Sequence, residues 1–126
     1  MDHTAELELE IDALTEEGVF ADALRALAEL LEDDRRGAPV RREIAIGGRE
    51  RAALLVEWLD ELVYVAETED LVAEGAEGIE LSDGGLVATV RFRRGSPRHL
   101  IKAATYHRLA FEPSRLGFRA RVVLDV

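Results

Sequence analysis

No cysteine occurs among the 126 residues, and this removes disulfides, thiolate zinc sites and cysteine nucleophiles together. There is also no run approaching the roughly 20 apolar residues that a membrane-spanning helix needs. The expectation is a soluble protein, even though apolar residues make up 48% of the chain. The opening stretch MDHTAELELE begins with acids and holds no apolar signal core. Neither a secretion signal nor a transit peptide is indicated, and a cytoplasmic location is expected. The common catalytic signatures are missing too. His3, His99 and His107 are isolated from one another, with no HExxH spacing, and Ser82, Ser96 and Ser114 lie outside any GxSxG elbow. No phosphate-binding GxxxxGK loop or GxGxxG turn follows a strand pattern, and the Gly pairs at 47–48 and 84–85 read as turns. Lysine is almost absent: Lys102 is the only one among 16 Lys and Arg.

The length suits one domain spanning residues 1–126, with a real core and no second one. The net charge of −10 is unevenly spread. Residues 91–126 carry nine Arg and Lys against only Glu112 and Asp125, so the acidic excess lies entirely in the first 90 residues. Such a chain gains little from counterion release on a polyanion, so direct nucleic-acid binding is not expected. The asymmetry is read as acidic elements folded against a basic C-terminal sheet.

Periodicity gives the elements. TAELELEID alternates, with Ala5, Leu7, Leu9 and Ile11 on one side and Glu6, Glu8, Glu10 and Asp12 on the other, which predicts a half-buried strand. From Thr15, a candidate N-cap followed by Glu16 and Glu17, the pattern turns helical through Val19, Phe20, Ala23, Leu24, Leu27, Leu30 and Leu31. VRREIAI predicts a second strand. A second helix is expected from about Arg49 to Glu67, its apolar face widened by Leu54, Trp58 and Tyr64. Beyond Asp70 the helical period gives way to glycine- and proline-punctuated β segments near 71–81, 86–93, 100–111 and 118–126. The order βαβαββββ predicts an α+β fold, a largely antiparallel sheet with two helices on one face.

In the segment 100–111, strict alternation would put His107 among apolar neighbours as a hydrogen-bonded, half-buried residue. In the last strand Arg119, Arg121, Val123 and Asp125 share a face. Antiparallel pairing with the first strand, Glu10 opposite Arg121 and Asp12 opposite Arg119, sets opposite charges across from each other. The same register brings Glu6 opposite Asp125, with the terminal carboxylate at Val126 as a third negative group. A bound cation would relieve the conflict, and an all-oxygen donor set favours calcium or magnesium over zinc. Two other readings of the same residues stay open. Glu6 and Asp125 could be hydrated charges at strand ends, or the strands could pair in parallel, setting Glu6 and Glu8 against Arg119 and Arg121.

DHTAE at 2–6, LLVEWLDELVYVAETEDLV at 54–72, KAATYHRL at 102–109 and RARVVLDV at 119–126, four segments in order along the whole chain, together resemble the archease family. The first is similar to the family's DHTAD opening and the second to its helical signature. The last two are similar to its closing strands. The resemblance implies a non-enzymatic protein cofactor that activates the metal- and GTP-dependent RNA ligase of the RtcB type. That ligase seals tRNA halves and other broken RNAs, and its partner promotes guanylylation of the ligase's active-site histidine and repeated turnover. It also implies a divalent ion, typically calcium, held by Asp125 and by the position that Glu6 occupies, where the family has aspartate. Lys102 matches the family's motif lysine, and as a compact ammonium it is expected to contact the ligase or its nucleotide phosphates. Rival readings are a chaperone or adaptor for RNA-modifying enzymes such as a tRNA methyltransferase, and a small metal-dependent hydrolase using Glu6, Asp125 and His107.

Overall fold

The computed structural model describes residues 5–31, 34–98 and 100–126. His3 and His99 fall outside the described residues. The elements are β1 (Glu6–Ala13), α1 (Glu16–Leu31), β2 (Arg36–Gly47), α2 (Arg51–Glu69), β3 (Leu71–Ser82), β4 (Gly85–Arg94), β5 (Ala103–Pro113) and β6 (Phe118–Asp125). This is the expected α+β order, and every strand pairing is antiparallel. The strands divide into two three-stranded sheets, β1-β6-β5 and β2-β4-β3. β6 and β4 are the central strands, and β1, β5, β2 and β3 form the sheet edges. Both helices pack against strands of both sheets.

Thr15 does start α1: its Oγ1 accepts the Gly18 backbone N–H at 3.0 Å, satisfying a donor of the first turn. The helix then buries Val19, Phe20, Ala23, Leu24, Leu27 and Leu31. A fully buried side chain of that size contributes about 1.5–3 kcal/mol. On α2 the core face carries Leu55, Trp58, Leu59 and Leu62, and the Trp58 Nε1–H, wholly buried, donates to the Phe20 carbonyl at 3.0 Å. The Phe20 and Trp58 rings meet edge to face at 6.4 Å. One apolar cluster draws residues from all eight elements. Tyr64 departs from the expected apolar face and is 60% exposed. It sits on the acidic side of α2, beside Glu57, Asp60 and Glu61 at a shallow groove against β2.

Gly117 turns β5 into β6 at φ +149, where an added Cβ would lie 2.5 Å from the carbonyl oxygens of both Ala13 and Leu14. A glycine is therefore required there, and its close approach ties the end of β1 to the β5–β6 turn. The consequence for β1 is a fixed register against β6.

Candidate functional site at the joined ends of β1 and β6

That register is antiparallel and runs unbroken from Ala13 opposite Phe118 to Glu6 opposite Asp125. The alternation of β1 fixes it, because a one-residue slip would turn Leu7, Leu9 and Ile11 out to solvent. At the far end Arg119 Nε donates to Asp12 Oδ1 at 3.0 Å, and this bond holds the Arg119 guanidinium above its usual pKa. Arg121 is opposite Glu10 as expected. Its Nε, however, donates to the Arg108 carbonyl at 2.8 Å.

At the near end Glu6 and Asp125 stand directly opposite each other, hence on the same face of the sheet. The Val126 N–H bonds the Ala5 carbonyl at 3.0 Å, which makes the adjoining Glu6/Asp125 pair a non-hydrogen-bonded one. Its α-carbons are then about 4.5 Å apart, the closer of the two antiparallel spacings. Backbone geometry thus sets two carboxylate-bearing residues side by side. On the other side of β6 the Lys102 N–H donates to the Asp125 carbonyl at 2.7 Å, so the exposed Lys102 is stitched to the strand position that carries Asp125. Val126 is half-buried and lines a groove of about 550 Å³ with Leu7, Leu9, Leu30, Leu100 and Ile101. The fold brings Glu6, Asp125, Val126 and Lys102 to one end of the β1-β6-β5 sheet.

Among the described residues, the donors at this end that suit a metal are oxygens: two side-chain carboxylates and main-chain carbonyls. Such a set suits a hard cation that accepts flexible oxygen ligation. No group of three His, Cys, Asp or Glu side chains with metal-binding geometry occurs among the described residues.

His107 is a correction. It is exposed, not half-buried, because β5 does not alternate through this region. Thr105 pairs with Val123 and Ala110 with Arg121, so four residues of β5 bulge out opposite the single Val122. Arg108 sits within the bulge at φ +54. Outside the regular ladder, His107 no longer follows the face of Thr105, and it joins no metal-binding group with Glu6 and Asp125.

Two residues escaped the sequence reading. Arg108 reaches back across β6, its Nη2 lying 3.5 Å from Glu8 and 3.9 Å from Glu6. Asp60 of α2 accepts the Ala104 N–H at 2.6 Å, satisfying a donor on the outer edge of β5. Burial pushes the Asp60 carboxyl upward in pKa, the Ala104 hydrogen bond opposes this, and the neighbouring Glu57 charge adds to the rise. A signal for Asp60 was available: it lies one turn from the buried Val56 and three residues before the buried Val63, on the flank of the apolar stripe.

Compared with known proteins, the chain matches the model of the Archease protein family (MTH1598/TM1083) over residues 1–126. It is 29% identical over 136 aligned positions to the protein archease of Methanosarcina barkeri, covering all of this chain and 93% of that one. Its fold is similar to the crystal structure of an archease, a possible chaperone, from Thermotoga maritima, with a TM-score of 0.72 at 21% identity over 100% of this chain and 94% of that one. It is also similar to the solution structure of protein 1598 of Methanobacterium thermoautotrophicum, with a TM-score of 0.67 at 26% identity, covering 100% and 96% of the two chains. With the family model matching residues 1–126, a span that holds β1, β6 and the Glu6/Asp125 end between them, the chain belongs to the archease family.

Proposed function

We propose that this protein activates an RtcB-type RNA ligase, promoting guanylylation of the ligase and its repeated turnover, without catalysing a reaction itself. Archeases are non-catalytic partners of other enzymes, and membership over the full chain supports that role here. The observation that carries the specific reading is the placement of Glu6, Asp125 and Lys102 at one sheet end. In this reading Glu6 and Asp125, with the main-chain oxygen of Val126, hold a calcium or similar divalent ion, which supplies positive charge and fixed coordination at the docking edge. Lys102 adds a point charge that meets the ligase or the phosphates of its nucleotide. The protein's own contribution is to present these groups on a rigid strand pair, favouring the ligase geometry competent for nucleotide transfer.

Among the described residues no helix is long and apolar enough to cross a membrane. We place the partnership in the cytoplasm, with no membrane and no direct nucleic-acid contact. The test adds the purified protein to its cognate ligase with GTP and manganese. Guanylylated ligase and turnovers per enzyme should both rise, and no rise in either sinks the proposal. A chaperone or adaptor role toward an RNA-modifying enzyme is the second reading, favoured by the description of the Thermotoga maritima relative as a possible chaperone. Recovery of a tRNA methyltransferase but no ligase by pull-down would select it.

A further inference from the structure

Arg108 is held in an unusual way. Its φ of +54 belongs to a region that non-glycine residues rarely occupy, and its carbonyl is pinned there by Arg121 Nε at 2.8 Å. The four-residue bulge from Tyr106 to Leu109 lets this side chain leave β5 and cross the middle strand to β1. Its guanidinium then stands 3.5 Å from Glu8 and 3.9 Å from Glu6. Bulges commonly re-aim a side chain in this way. The side chains concerned are between one-third and about one-half exposed, so water screens the contacts and exchange of partners costs little.

Glu6 is crowded by the like charge of Asp125 opposite it, and Arg108 supplies a cation at that point. We propose that Arg108 is a tethered competitor for the divalent ion at Glu6, withdrawing onto Glu8 when the ion binds and thereby reporting ion occupancy to the bulge that displays Tyr106 and His107. The inference rests on the ion reading of Glu6 and Asp125 given above. Two cations cannot share Glu6 without mutual repulsion, so Arg108 weakens the ion and the ion releases Arg108. Glu8 is the alternative anchor that makes the release easy. The exposed bulge residues Tyr106 (61% exposed) and His107 then change surroundings with ion loading.

The experiment titrates calcium into the purified full chain by calorimetry, with no ligase present, for the wild type and for R108Q, E8Q and R119Q. R108Q should bind about three- to tenfold more tightly, the scale of one unit charge a few ångströms from a divalent ion in a hydrated setting. E8Q should bind more weakly, because Arg108 then has only Glu6 to rest on. R119Q should match the wild type, since Arg119 lies six residues along β6 from Asp125, about 20 Å, well beyond the screening length at physiological salt. Damage to the fold would loosen binding, so tightening cannot come from a merely structural role. Equal or weaker calcium binding by R108Q overturns the proposal while leaving the ion site standing. Failure of both the wild type and R108Q to bind calcium overturns the ion site and this inference together.

Discussion

Removing the Asp60 carboxylate should separate the two things it does. In Asp60→Ala the Ala104 N–H loses its acceptor at 2.6 Å, and Ala104 is only 6% exposed, so water replaces the bond poorly. An unmet buried donor of this kind costs about 1–3 kcal/mol. Asp60→Asn keeps an oxygen for the Ala104 N–H while removing a charge that burial and Glu57 both disfavour. It should therefore be close to neutral, or stabilising by up to about 1 kcal/mol, at pH 7. The pH dependence has a definite sign. The folded-state pKa is raised, so the native state holds the proton more tightly than the unfolded chain does. Stability from this group is complete below the ordinary aspartate pKa and is lost as pH rises through the raised folded value. Urea denaturation followed by Trp58 fluorescence between pH 3.5 and about 7 should show the wild type losing ground to Asp60→Asn as pH increases. Parallel curves for the two proteins, or an Asp60→Asn loss as large as that of Asp60→Ala, would refute the reasoning.

Other substitutions test the site and the frame that holds it. Asp125→Asn should abolish calcium binding in calorimetry while shifting the urea midpoint little; a melted domain would make Asp125 structural instead. Glu6→Asp restores the shorter carboxylate of the family motif and should change the calcium affinity with no change in the circular dichroism spectrum. Lys102→Ala, an exposed position, should lower stimulation of ligase guanylylation without lowering the melting temperature. Gly117→Ala should destabilise by about 3 kcal/mol or more, because its Cβ meets two carbonyl oxygens at 2.5 Å. Trp58→Phe removes the indole bond to the Phe20 carbonyl, which stays within helix α1, and puts a smaller ring in the core, so it should cost roughly 1–3 kcal/mol by urea denaturation.

Where a residue's environment follows from its neighbours in the chain, the sequence was enough to read it. The alternation of β1, the helical stripe from Val19 to Leu31 and the Thr15 cap all depend on local periodicity and local hydrogen bonding. The facing of Glu6 and Asp125 was legible as one of the open pairings, because charge complementarity at Asp12/Arg119 and burial of Leu7, Leu9 and Ile11 suit that register, while a parallel pairing also matched part of the charge pattern. Local pattern failed where it was interrupted. Nothing in KAATYHRL marks a bulge, since Arg108 lacks the glycine or asparagine that signals positive φ, so strict alternation placed His107 inside when it is outside. Nor does periodicity say that α2 lends Asp60 to the edge of β5, or that six strands divide into two sheets. The sequence by itself determined the element types and their order, because each is set by which side of a strand or helix avoids water. It offered the antiparallel register of β1 on β6 beside a parallel one, and the structure selected the antiparallel. Only tertiary structure decided that Arg108 crosses β6 to Glu6 and Glu8, that Asp60 satisfies a strand edge, and that Lys102 joins the Asp125 end. Those contacts depend on how separate elements pack, and pairing energies between distant groups leave no periodic trace in the chain.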